Sequence, residues 1–181
     1  MTRLTVCAAA LVAAAFGATA FAQKTTELGV GGGGSPHART DWTIHGANIS
    51  ITYGRPALKG RTPGTDIDPF EGKEWRTGAD EQTTLVTDKP LKFGTLTVPA
   101  GTYGIHTIPV KGTWQLIISK RPKGWGIPYP AGLDLGRVPM TMGAPPKMTE
   151  RLTFTIDDTS AGGTLRIDWG NTRATIPFTV G

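Results

Sequence analysis

Seven consecutive residues, Trp75-Arg76-Thr77-Gly78-Ala79-Asp80-Glu81, set a flat apolar ring, a fixed cation and two carboxylates side by side. Arg76 can offer a planar fork to a carboxylate or phosphate, and Trp75 can stack on a sugar or an aromatic ring. The competing reading is internal: Arg76 pairs with Asp80 or Glu81 and braces the loop, while Trp75 fills the gap between loop and sheet. Just upstream, Arg55, Lys59 and Arg61 add three positive charges. If the two stretches converge they form a cationic cleft suited to uronic-acid sugars, peptide carboxylates or phosphates; if they do not, these are solvated loop residues. A second irregular stretch, 120–147, carries Trp125 and can supply another wall.

Acid–base chemistry has one candidate pair, Glu81 with His106. A lone strand histidine is also an ordinary structural residue, hydrogen-bonded within the fold. The three histidines, His37, His45 and His106, show no metalloprotease spacing, and His37 falls in a glycine-rich stretch, so the sequence predicts no metal site. Asp66-Ile67-Asp68 with Glu71 lacks the glycine and the terminal glutamate of a calcium loop. Ser35, Ser50, Ser119 and Ser160 sit in neither a Gly-x-Ser-x-Gly nor a Ser-x-x-Lys context, which argues against a serine nucleophile. Asp80 or Glu81 paired with Asp66, Asp68, Glu71 or Glu74 leaves glycoside cleavage open, because that chemistry depends on a separation between carboxylates. No cofactor motif is present, and none is expected.

These residues must be positioned by strands. From residue 41 onward, apolar residues recur with period two, cut every ten residues or so by Gly, Pro or Asp. Ile49, Ile51 and Tyr53 form one such set, Leu152, Phe154 and Ile156 another, and Leu165, Ile167 and Trp169 a third. Ser160-Ala161-Gly162-Gly163 and Gly170-Asn171 are natural turns, so the last three strands read as an antiparallel meander. Further candidates at 42–46, 82–87, 91–98 and 134–141 bring the count to about eight to ten strands with no helix. The expected fold is therefore all-β, an antiparallel sandwich of jelly-roll type, with a closed barrel as the alternative. Residues 54–81 and 120–147 break the alternation, and their tryptophans predict ordered loops folded over the sheet.

The N-terminus reads differently. Met1-Thr2-Arg3, the small-apolar run from Leu4 to Ala15 and Ala20-Phe21-Ala22 together predict a secretory signal peptide over 1–22, cleaved before Gln23. The single Cys7 leaves with it, which excludes disulfides, thiolate metal sites and cysteine nucleophiles from the remainder. Residues 23–40, with Gly31-Gly32-Gly33-Gly34-Ser35-Pro36, read as a flexible tether, and 41–181 as one domain. Without Arg3 the 19 basic residues fall to 18 against 14 acidic, a net charge of about +4 scattered along the chain. No dense basic run points to nucleic acid. No membrane span is expected once the signal is removed.

Three blocks taken together resemble a known family. They are Ile51-Thr52-Tyr53-Gly54-Arg55-Pro56-Ala57-Leu58-Lys59-Gly60-Arg61, then Trp75 through Thr83, then Pro99-Ala100-Gly101-Thr102-Tyr103-Gly104-Ile105-His106-Thr107-Ile108-Pro109. In this order they are similar to the bacterial exported family termed domain of unknown function 2911, over about residues 41–181. The middle block departs from the family's pattern at Asp80, where the family has Asn. The resemblance implies an exported bacterial domain, periplasmic or secreted, without an established reaction. The residues add to it a binding or accessory module whose loops offer Arg55, Lys59, Arg61, Trp75, Arg76, Asp80, Glu81, His106 and Trp125 to an anionic small molecule, a glycan or a peptide. A hydrolase or isomerase using Glu81 and His106, or a purely structural envelope protein, are the other two readings.

Overall fold

The computed structural model describes residues 23–110 and 112–181. The proposed signal segment 1–22 lies outside the described residues. Twelve antiparallel strands and no helix make up the described chain. The all-β expectation holds, and the strand count exceeds the expected eight to ten because an N-terminal strand escapes the period-two pattern and the candidate at 91–98 divides into two.

The N-terminal strand corrects the tether. Lys24–Val30 (β1) and Pro36–Ile44 (β2) pair as an antiparallel hairpin, with the glycine-rich stretch as its turn. Along β2, Ala38, Thr40, Trp42 and Ile44 are buried while the alternate positions are not, so the inward face begins earlier than residue 41. Ala and Thr bury well but carry little hydropathy, which hides the alternation. β1 is exposed throughout and is held to β2 by its backbone.

His45-Gly46, both at positive φ, turn β2 into Ala47–Gly54 (β3), as a two-residue hairpin loop that follows the strand twist requires. Thr84–Thr87 (β4) pairs with β3, and Gly101–Val110 (β7), Thr113–Ser119 (β8) and Asp134–Gly143 (β9) continue the sheet. The expected meander is present as Thr149–Thr159 (β10), Gly162–Gly170 (β11) and Thr172–Val180 (β12), and β12 pairs with β9. The candidate at 91–98 is a small hairpin, Leu91–Phe93 (β5) and Leu96–Val98 (β6), whose first strand pairs with the end of β12. The order β1-β2-β3-β4-β7-β8-β9-β12-β11-β10 is thus one continuous curled sheet.

Curling brings the two ends of the sheet face to face over the core. Tyr53 on β3 meets Phe154 on β10 edge-on with ring centroids 4.7 Å apart, and the Tyr53 hydroxyl accepts the Phe154 amide at 3.2 Å. Residues 56–58 stitch the seam, since Leu58 donates its amide to the Glu150 carbonyl and Leu152 donates to the Pro56 carbonyl. The loop after β3 then crosses the core to Trp75, which exchanges two 2.8 Å backbone hydrogen bonds with Thr107 where β4 has ended. Trp75 is 3% exposed, stacks on Trp169 at 5.5 Å and meets Trp114 edge-on at 6.1 Å. Its burial anchors everything that follows in the loop.

Candidate functional site

Immediately after Trp75 the loop turns sharply. Thr77 and Asp80 both adopt positive φ, at 54° and 63°. Aspartate tolerates that region, whereas β-branched Thr77 is held there by its surroundings. Its hydroxyl lies 3.1 Å from that of Thr107 on β7, and its carbonyl accepts the Thr83 hydroxyl at 2.9 Å, all buried. This threonine network fixes the turn, so that Asp80 and Glu81 project toward the start of β2.

There they meet His37. The His37 Nε2 atom is 3.3 Å from Asp80 Oδ2 and 3.3 Å from Glu81 Oε2. Asp80 is buried and also accepts the Ser35 amide at 3.0 Å; Glu81 is about half exposed. His37 is the residue the sequence reading set aside, and it reaches the site because 36–44 is a strand paired with β3, with His37 opposite Gly54. The backbone is pressed against this group. A Cβ at Gly31 would sit 2.3 Å from His37 Nε2, one at Gly33 would sit 2.0 Å from Asp80 Oδ1, and one at Gly54 would sit 2.0 Å from the Ala79 carbonyl oxygen.

The segment 120–131 closes over the other side. Gln82 donates its amide to the Gly124 carbonyl and its side-chain nitrogen to the Arg121 carbonyl, and Thr84 donates its hydroxyl to the Pro122 carbonyl. Arg76 donates to the Trp125 carbonyl at 3.0 Å and lies 5.0 Å from the centre of the Trp125 ring. These bonds bring Lys123 and Trp125, both exposed, beside Glu81. Trp125 also touches the glycine turn, with its ring 3.6 Å from the Cβ position at Gly32. A pocket of about 340 Å³ is walled by His37, Thr52, Glu81, Gln82, Thr84 and Lys123. In a second hollow over β2 and β3, Arg39 pairs with Asp41 and Asp88 accepts from the Asn48 amide.

Several expected site residues are employed elsewhere. Trp75 is a core residue, not a stacking platform; the exposed ring is Trp125. Arg55 donates to Glu27 at 2.7 Å across the β1 edge. Lys59 occupies a left-handed turn and donates its amide to Glu150, and Arg61 donates to the carbonyls of Ala57 and Leu58. The Arg55 and Arg61 guanidiniums are thus committed to the edge strand and the seam, and neither is bonded at the Arg76 loop. Nor is Arg76 a brace on Asp80 or Glu81. Its hydrogen bond goes to Trp125, and the carboxylates act on it only as nearby charges that favour its protonated form against burial.

His106 and Glu81 are not partners either. Glu81 faces His37, whereas His106 lies fully buried on β7 with its ring 5.0 Å from Tyr129, edge to face. Burial pushes the His106 pKa down to about 4, with Arg76 adding to the shift, while the Gly126 backbone and Asp134 oppose it. Neither ring nitrogen finds a hydrogen-bond partner of good geometry, so the charge-favouring approach of Gly126 stops short of a bond. Tyr129 itself hydrogen-bonds to Asp134, which also accepts from Arg137 Nε at 2.6 Å. Burial, with that bond, pushes the phenol pKa well up. His106 is a neutral ring sealed under the 120–131 loop.

The chain belongs to the family described as "Protein of unknown function (DUF2911)", which matches residues 35–178. The match begins in the glycine turn and so takes in His37 together with the Asp80–Glu81 loop. No curated protein and no solved structure matches the chain.

Proposed function

We propose that this member of the family is an exported, non-catalytic binding module whose pocket takes a small polyhydroxylated ligand of the sugar type. The observation that carries this reading is the convergence of the start of β2, the 81–84 segment and Lys123-Gly124 on one pocket, with the exposed Trp125 two residues beyond Lys123. The walls alternate acceptors and donors: the Glu81 carboxylate and the Thr52 and Thr84 oxygens on one hand, the Lys123 ammonium on the other. A ligand dense in hydroxyls satisfies such a set, since each hydroxyl both donates and accepts. A strongly anionic ligand fits less well, because Asp80 and Glu81 stand at the site and Arg55 and Arg76 already have partners. The volume lies at the lower end of the range for small-molecule sites. No described helix is long and apolar enough to cross a membrane, and export rests on the 1–22 segment. Chain recovered from a bacterial envelope should begin at Gln23, and an uncleaved N-terminus in the cytoplasm would overturn export.

The binding reading is tested by fluorescence quenching. Trp125 is 46% exposed, Trp114 is partly buried and Trp42, Trp75 and Trp169 are buried, so Trp125 should be the ring iodide quenches most. A panel of neutral hexoses, pentoses, amino sugars and uronates should contain members that protect this ring and raise the melting temperature. Trp125→Ala and Lys123→Met should weaken that binding at least about tenfold, the effect of losing one good contact. If no saccharide protects Trp125 or shifts the melting temperature, the proposal fails.

A further inference from the structure

The geometry points to a divalent transition-metal site of the zinc class formed by His37, Asp80 and Glu81. One ligand atom from each residue lies within 4.8 Å of the others. More telling are the two edges that His37 Nε2 makes, 3.3 Å to Asp80 Oδ2 and 3.3 Å to Glu81 Oε2. Ligand atoms placed about 2.0–2.1 Å from a tetrahedral ion are separated by about 3.3 Å, so both edges already have the span that such an ion imposes. The exposed Glu81 side chain is free to close the third.

Three further features are those of a built site rather than a chance meeting of charges. The donors are one imidazole nitrogen and two carboxylate oxygens, a set that suits zinc and its neighbours better than calcium or magnesium, which take oxygen alone. Asp80 is oriented from behind by the Ser35 amide at 3.0 Å, the kind of supporting bond that metal-binding carboxylates carry. Finally, Gly31 and Gly33 keep the backbone against His37 Nε2 and both Asp80 oxygens, where any Cβ would collide at 2.0–2.6 Å. Gly31 has no positive φ to require glycine, so closeness to the ligand atoms is what demands it there. Three protein ligands leave a coordination position, and the exposed side of the cluster at Glu81 borders the pocket described above.

This inference shares His37 and Glu81 with the sugar reading but does not depend on it, because Lys123 and Trp125 contribute no ligand. The probes are therefore the bare ions. The full chain, purified without a histidine tag and stripped with chelator, is titrated with Zn²⁺ by calorimetry and with Co²⁺ by visible absorption. One equivalent of Zn²⁺ should bind and raise the melting temperature, and Co²⁺ should develop the intense visible bands of a four-coordinate site. His37→Ala and Glu81→Gln should each weaken binding by at least about 100-fold, the upper end of what a merely supporting partner costs. His45→Ala, whose ring bonds to the Thr159 carbonyl, should leave it unchanged. Glu81 is exposed enough that its variant folds even if loss of His37 disturbs the hairpin. Absence of stoichiometric binding by the wild type, or binding retained in Glu81→Gln, overturns the proposal and leaves His37 as a ring held by contacts to two carboxylates.

Discussion

Burying a neutral histidine under a loop makes stability fall as the solution is acidified, and the fall can be calculated. His106 has a folded pKa of about 4 through burial, against about 6.5 in an unfolded chain. Above pH 6.5 neither state binds the proton and the residue has no effect on the pH slope. Between 6.5 and 4 the unfolded chain takes up a proton that the folded chain refuses, so folding is penalised as pH falls, by about 1.4 kcal/mol per unit at most. Integrated, the penalty is about 1 kcal/mol at pH 5.5 and about 2–3 kcal/mol at pH 4.5, relative to pH 7.5. The groups facing the ring are Tyr129, Asp134 and Arg76, and none replaces the lost hydration of a charged imidazole. The perturbation is His106→Phe, which keeps a flat ring against Tyr129 and carries no proton. Urea denaturation of both proteins at pH 7.5, 5.5 and 4.5 gives the difference in stability at each pH, and carboxylate titrations common to both cancel. Whatever the absolute stability of the variant, the wild type should lose about 2–3 kcal/mol more than it does over that interval. Parallel curves within about 0.5 kcal/mol would mean that His106 is hydrated or protonated in the folded state, and the sealed-ring description would be wrong.

Arg76→Ala removes one hydrogen bond and one stacking contact, both to Trp125, and should cost about 1–2 kcal/mol by thermal melt while raising iodide access to Trp125. Combined with Glu81→Gln it should be additive within about 0.5 kcal/mol, whereas strong coupling would restore the internal brace. Gly54→Ala drives a Cβ to 2.0 Å from a backbone carbonyl and should cost at least about 2 kcal/mol in urea denaturation. Gly143→Ala, with nothing within 4 Å and no positive φ, should stay within about 0.5 kcal/mol; equal effects at the two positions would contradict the close approach at Ala79.

Strand content is legible in the sequence because alternation is a local property. Ile49, Ile51 and Tyr53, or Leu165, Ile167 and Trp169, point one way whatever they pack against, and the two-residue spacing alone marks them as strands. The meander at the C-terminus follows from the same pattern plus Gly170-Asn171. The loop Trp75 to Glu81 and the neighbourhood of Trp125 are also visible as breaks in that pattern, with aromatic and charged residues where none is needed for a turn. What a break cannot show is which way its side chains go. Trp75 and Trp125 are equal candidates on paper, and only the stack on Trp169 turns one into core and leaves the other at the surface.

Partnership was decided entirely by tertiary structure. Whether Arg76 meets Glu81 or Trp125, and whether Glu81 meets His106 or His37, depends on the register of β2 against β3 and on the path of a loop that crosses the core, both set by contacts between residues far apart in the chain. His37 lies 43 positions before the aspartate it touches. It stands near the start of a strand whose inward residues begin with Ala38 and Thr40, too weak in hydropathy to announce themselves, after a run of glycines that composition alone reads as a tether. Glycine is there for space as much as for freedom: backbone approaches the His37 and Asp80 side chains too closely for any Cβ, and that requirement exists only once the hairpin and the loop have come together.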